Sequence, residues 1–292
     1  MTKMRLASFI AGRYLFAKKS HNVINIISAI SATGMAIGTA ALIIILSVYN
    51  GFDSLIRSML GSVEPDLLIT PSTGKVFVPE GETYDWIYDQ PEVKNMCGVL
   101  QEQVFINYDG QQGLAKAKGV DWIYEEETPL RDHIRDGEFK LHRGDVPMAA
   151  VGAGLAYSMG ISPRFVSPIE IYFPSRTRKL SMSNPISSIE AIKVWPSSIF
   201  SVNNDVDAEL MIIPIEKMRE LLEYDDEVSA VEIRLAEGTD GKVLKNLQKE
   251  ISERLGPDFK VKDRFQHNES FFFFNDTATT EIYTILIFVI II

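Results

Sequence analysis

The sequence predicts an α+β domain held outside the cytoplasm on an N-terminal transmembrane helix, and three observations predict it. A run of 27 uncharged residues lies near the start, Val23 to Tyr49. A basic end precedes that run and an acidic body follows it. Beyond it, segments with strand and helix periodicity alternate as far as about Asn268.

Residues 1–22 carry Lys3, Arg5, Arg13, Lys18 and Lys19 and no acid, a charge of +5. The whole chain is −10, so the remainder is −15. Nucleic acid is excluded as a partner of the body, because such binding needs a dense basic surface. Leu6, Phe9, Ile10 and Tyr14 fall on one helical face with the cations beside it. The segment therefore reads as a cytoplasmic amphipathic leader resting on the inner leaflet; an unstructured basic leader is the alternative.

A bilayer core of about 30 Å needs about 20 helical residues, so residues 23–49 suffice to span it. A cleaved signal peptide has a shorter apolar core and a small-residue cleavage site, and Ser47 to Phe52 offers none. The positive flank sets the N-terminus in the cytoplasm and the large domain outside the inner membrane. Gly34 and Gly38 form a GxxxG, with Ala36 and Ala40 on a neighbouring small-residue row. Such rows let helix backbones approach closely in lipid, so this span is expected to pack on another membrane helix.

The body, residues 50–268, reads as strands at Asp66–Thr70, Val99–Tyr108 and Gly113–Val120, the last two joined by an Asp109-Gly110 hairpin turn. Pro147–Val151 is a strand and leads into a short helix ending at Gly160; Pro168–Phe173 and Ile189–Trp195 are further strands. The last stretch alternates strand 208–213, helix 215–224, strand 229–235, helix 242–255 and strand 259–261, which suggests a ferredoxin-like half. Between two strands lies a polar loop, Pro174 to Ser188, holding Arg176, Arg178 and Lys179 and later Asn184 and Pro185. A long basic arm on an acidic body is a candidate partner contact; an idle solvated loop is the alternative.

Catalytic chemistry is not visible. Gly152-Ala-Gly154 lacks the third glycine of a dinucleotide fingerprint, Tyr157 standing in its place, and no phosphate-binding GxxxxGK[ST] occurs. The four histidines have no metal-ligand spacing, and the acidic runs 125–127 and 225–227 lack the calcium-loop pattern and read as solvated faces. No serine sits in a triad motif. Cys97 is the single cysteine, so no intrachain disulfide forms, and it reads as a small buried residue. The expectation is no catalytic residue, no cofactor and no metal.

The chain resembles the lipoprotein-releasing permeases of the LolC/LolE type, within the FtsX/MacB-like superfamily. The resemblance rests on residues 9–16 (FIAGRYLF), 26–30 (IISAI), 36–43 (AIGTAALI) and Asn50-Gly51-Phe52. It continues at 150–156 (AVGAGLA), Asn184-Pro185 and 199–202 (IFSV) with Asp205 and Asp207, and covers about residues 5–268. It implies a MacB-like periplasmic core domain between the first two of four spans, and an ABC transporter permease of the cell inner membrane. It implies as partners a cytoplasmic ABC ATPase that hydrolyses ATP, and a second permease subunit, either a like copy or a paralogue. A lipidated protein substrate and a periplasmic lipoprotein chaperone complete the set. In the LolC type a hairpin arm recruits that chaperone, and by position residues 174–188 are that arm. A MacB-like efflux or mechanotransmission permease and a membrane-tethered extracytoplasmic sensor are the alternatives; three further spans or a cytoplasmic signalling domain would separate them.

Residues 270–284 (SFFFFNDTATTEIYT) break this pattern and read, with Glu269, as the translation of a sequencing adapter; a natural Phe/Thr-rich juncture is the alternative. Residues 285–292 are only eight apolar residues, the expected truncated start of a second transmembrane helix, which makes the chain a fragment.

Overall fold

A computed structural model describes residues 23–60, 64–178, 188–236 and 238–267. Contacts divide the chain into two units, one containing the N-terminal helix and one the body from about residue 56. Helix α1 runs from Val23 to Leu60 and contains an apolar stretch, Ile26–Gly51, with a mean hydropathy of 2.1. It extends past Tyr49 because no proline stops it, and the single Gly51 does not break a helix this long. The hydroxyls of Thr33 and Thr39 donate back to the carbonyls of Ala29 and Met35 at 2.8 Å, which keeps both satisfied within an apolar segment.

The body contains β1 (Leu67–Pro71), α2 (Glu82–Tyr88), β2 (Val93–Tyr108) and β3 (Gln111–Val120). The turn between β2 and β3 has positive φ at both Asp109 (52°) and Gly110 (86°), the geometry that matches strand twist in a two-residue hairpin. Next come α3 (Trp122–Glu127), β4 (Ile134–Gly137), β5 (His142–Arg143), β6 (Val146–Gly152) and α4 (Ala153–Met159). They are followed by β7 (Ile169–Pro174), β8 (Ile189–Phe200), α5 (Asn204–Glu209), β9 (Leu210–Pro214) and α6 (Ile215–Leu222). The chain finishes with β10 (Ala230–Leu235), α7 (Gly241–Leu255), β11 (Phe259–Asp263) and one helical turn, α8 (Arg264–His267).

One sheet runs β11-β1-β10-β2-β3-β9-β6-β8-β4. Its first four strands are each antiparallel to their neighbours and, with α2 and α7, have ferredoxin-like βαββαβ connectivity: β1-α2-β2, then β10-α7-β11. The two halves of this lobe are separated by everything between β2 and β10. The helices bury Leu67, Ile69, Ile87, Ile233, Leu247 and Ile251 against one face. This corrects the expected ferredoxin-like half over residues 208–261. The strand at 210–214 pairs with β3 and β6, not with β10, and the place beside β10 is filled by β1 and β2. Residue 208 itself lies within a helix, Asn204–Glu209, whose N-terminus Asn203 caps by accepting from the Val206 amide.

The second lobe is the insertion. Strand β9 is parallel to β3, β8 is parallel to β6, and β7 pairs with both β2 and β8. Two apolar clusters fill it, one around Ile106, Ile171, Met211 and Leu221 and one around Leu130, Phe200 and Ile212. Strand β2 belongs to both lobes: Val93–Val99 pair with β10, and Leu100–Tyr108 with β3.

Candidate functional site

The polar arm leaves the sheet at the β7–β8 hairpin. Apolar Ile169, Ile171 and Val194 point into the core and hold the hairpin down, while alternate positions face outward. Pro174 pairs with Ile189, and the Ser175 amide donates to the Ser188 carbonyl at 2.9 Å, the last rung of the stem. On the outer face, Glu170 joins three strands: it accepts from Lys193 at 2.9 Å, the Tyr172 hydroxyl at 2.7 Å and the Asn107 amide group at 3.0 Å. These donors, Lys193 first, hold its carboxyl down to about 2.

The foot of the arm is gripped by Glu223, the residue that ends α6. Its backbone is left-handed (φ 54°), which turns its side chain off the helix axis. The carboxylate accepts from the Ser175 hydroxyl (3.0 Å), the Arg176 amide (2.6 Å), the Thr177 amide (3.0 Å) and the Thr177 hydroxyl (2.6 Å). The Thr177 hydroxyl contributes most to holding the carboxyl down to about 2, outweighing partial desolvation. The Arg176 guanidinium lies 3.9 Å over the Tyr224 ring, and Arg178 pairs with Glu190 at 2.8 Å. Both arginines are thus engaged with the body at the arm's foot. Lys179, Asn184 and Pro185 lie outside the described residues.

Sequence reasoning missed Glu223, Tyr224 and Glu190. The available signal was Glu223 itself, two residues before the acidic run 225–227, whose charge complements the arm. Part of that run has a local role: Glu227 accepts from the Asp225 amide at 2.8 Å. In the other acidic run, Glu125 accepts from the Leu141 amide at 3.2 Å and Glu127 pairs with Lys94 at 3.0 Å.

The clamp has a pH signature. Because the Glu223 carboxyl is lowered from 4.5 to about 2 by folding, its contribution is complete above about 4.5 and is lost as pH falls through about 2. Glu223→Ala is expected to speed hydrogen exchange of the Arg176 and Thr177 amides about tenfold or more at neutral pH. The Ile171 amide, inside the stem, keeps its protection. Equal acceleration at all three positions in a site-resolved exchange experiment would refute the clamp.

Beside the foot lies a shallow groove of about 370 Å³, lined by Phe105, Tyr172, Phe173, Pro174 and Ile189. Phe105 and Ile189 are 39% and 42% exposed, and the Phe105 and Tyr172 rings are 6.3 Å apart. The arm and this groove share one end of the inserted lobe.

A second feature lies where the two lobes meet. A cleft of about 360 Å³ opens on the face of the ferredoxin-like sheet opposite α2 and α7. Its lining includes Lys118 and Glu232, an ion pair of 2.7 Å with side chains only 3% and 8% exposed. Burial works against the Lys118 charge, but Glu232 and the Tyr124 ring, 4.7 Å from the ammonium, leave its pKa raised above the ordinary lysine value. Nearby, burial first and then Asp121 and Glu232 push the Cys97 thiol well up. Cys97 is therefore an inert, buried thiol, in keeping with its reading from the sequence.

Gly34, Ala36, Gly38 and Ala40 lie along α1, and a Cβ built on either glycine meets nothing within 4 Å. Gly152 and Gly154, by contrast, press against the backbone of Asp207 and Ala208 in α5. Close packing accounts for that glycine pair. Among the described residues no group of three or more His, Cys, Asp or Glu is placed to hold a metal.

The sequence model for the MacB-like periplasmic core domain matches residues 28–250. Among curated proteins, the chain is 26% identical over 243 residues to the lipoprotein-releasing system transmembrane protein LolC of Neisseria meningitidis, covering 80% of this chain and 55% of that one. It is 21% identical over 240 residues to LolE of Haemophilus influenzae, with the same coverage. The chain thus spans about half the length of these relatives. Among solved structures, the extracellular domain of the transporter YknZ is 12% identical with a TM-score of 0.46, covering 68% of this chain and 99% of that one. The periplasmic region of MacB from Actinobacillus actinomycetemcomitans is 8% identical with a TM-score of 0.45, covering 73% and 95%.

Proposed function

We infer, from the premise that this chain belongs to the MacB-like periplasmic core domain family, that it is part of an ABC transporter permease that releases lipoproteins from the inner membrane. The observation that carries the reading is the similarity to LolC and LolE over 80% of the chain. The family-model match, residues 28–250, likewise begins within the apolar helix and continues through the α/β body. On this reading α1 crosses the membrane with its basic end in the cytoplasm, and the body lies in the periplasm. The Gly34/Gly38 and Ala36/Ala40 rows pack against a neighbouring span or a second permease subunit.

On this reading the division of labour is the one the resemblance to the LolC/LolE permeases implies: energy comes from a separate cytoplasmic ATPase, and the body handles a lipidated substrate and passes it to a soluble chaperone. The arm at 174–188 is the chaperone contact, and the grip of Glu223 on its foot supports that role. A recruiting arm must be held at a fixed angle, because a free loop pays more entropy on docking. A MacB-like efflux permease fits the same family but draws no support from the arm.

The test is a release assay. Full-length protein is reconstituted with its ATPase in proteoliposomes carrying a lipidated protein, and transfer to a soluble chaperone is measured with and without ATP. ATP-dependent transfer is expected. Glu223→Ala should reduce it several-fold while leaving ATP hydrolysis unchanged. Transfer of no lipidated protein, with intact ATPase coupling, would favour the efflux reading.

A further inference from the structure

Lys118 and Glu232 carry more hydrogen-bonding capacity than the protein uses. The ammonium has three N–H groups, and its described contacts are Glu232 Oε1 and the Tyr124 ring. Glu232 Oε2 is buried and has no partner among the described residues. Both side chains line the cleft between the lobes, so a donor and an acceptor lie a few ångströms apart at a site of about 360 Å³. That volume is within the range of pockets that enclose small ligands or short segments.

The surroundings narrow the chemistry. The same cleft is lined by apolar Leu68, Val99 and Leu210. Of its charged lining residues, Lys116 pairs with Glu209 at 2.9 Å and Lys118 with Glu232 at 2.7 Å, which leaves Glu64, 3.6 Å from the His267 imidazole. The lining is within one charge of balance, so a ligand of strong net charge gains little there. A neutral group with an acceptor for Lys118 and a donor for Glu232 gains most, and that group is an amide. Apolar walls beside an amide-binding floor suit a polypeptide, in which amides and side chains alternate. We propose that this cleft binds an extended segment of polypeptide, its amide bridging Lys118 and Glu232. The source of the segment, the transported protein, rests on the transport reading; the chemistry of the site does not.

The test uses full-length protein in detergent, isotope-labelled for NMR, with a synthetic blocked octapeptide of alternating Leu and Gln as probe. Saturable shifts at the amides of Gln101, Ser229 and Ala230, with Kd on the order of 0.1–1 mM, are expected. Gln101→Trp fills the cleft from its exposed rim without touching the ion pair, and should weaken binding at least about tenfold. N-acetyl-leucine amide, the small source of the same chemistry, should bind much more weakly than the octapeptide. No shift at millimolar peptide overturns the proposal, as does binding insensitive to Gln101→Trp or an equal response to the small amide. Because no ATPase, lipid or chaperone is present, a failure of transport leaves this result standing, and the converse also holds.

Discussion

Lys118→Met is expected to lower the unfolding free energy by about 3–5 kcal/mol, the usual consequence of stranding one member of a buried ion pair. Lys118 sits in β3 and Glu232 in β10, with both side chains at least nine-tenths covered. Removing the lysine leaves a buried carboxylate beside Val99, Leu68 and Ala230 without its partner at 2.7 Å, and it must then take up a proton or water. The pair itself is a weaker source of stability than its rupture suggests, because both charges were desolvated to form it. The double substitution Lys118→Met with Glu232→Leu should therefore recover most of the loss. All three tryptophans, Trp86, Trp122 and Trp195, lie in the body, so urea unfolding followed by their fluorescence reports this domain alone. A double variant as unstable as the single one would show that the charges are not coupled.

Gly152→Val is expected to cost about 3 kcal/mol or to prevent folding. A Cβ at this position would stand 2.5 Å from the Asp207 carbonyl oxygen and 2.8 Å from its Cα. These are backbone atoms, so no side chain can rotate away, and overpacking of this kind is relieved only by moving an element. The element is α5, tied to the preceding loop by Asp207 itself: its carboxylate accepts from the Val202 amide at 2.8 Å and the Ser201 hydroxyl at 2.9 Å. Gly144→Val is the control, since a Cβ there meets nothing within 4 Å and only its positive φ resists. Urea midpoints measured by the same fluorescence should fall much further for Gly152→Val than for the control.

Much of the body was legible because its signals are local. The Asp109-Gly110 turn declares itself through residues that accept positive φ, and α7 through an amphipathic run opened by the Asp240 cap. What was not legible is long-range. Nothing near Leu67 says that it faces Ile233, and chain adjacency misassigned the ferredoxin-like lobe to residues 208–261. Strand β2 also begins earlier than expected, since Lys94 and Asn95 look like loop residues until β10 is laid beside them. The arm announced itself by charge, but its clamp did not. Glu223 ends a helix 35 residues beyond the foot's Ser188, and an acid there looks solvated until the hairpin folds over it. Nothing local marks Lys118 either: it shares a strand face with the exposed Lys116, and only the pairing of the sheet brings it against Glu232.

Strand β2 is a girder common to two rooms. Its 16 residues extend about 50 Å at the usual rise per residue, without a break between the part that serves one lobe and the part that serves the other. Neither room can be re-registered alone, since adding one residue to the girder would turn every side chain beyond it to the wrong wall. A disturbance of register at one end of the beam is therefore expected to be felt at the other.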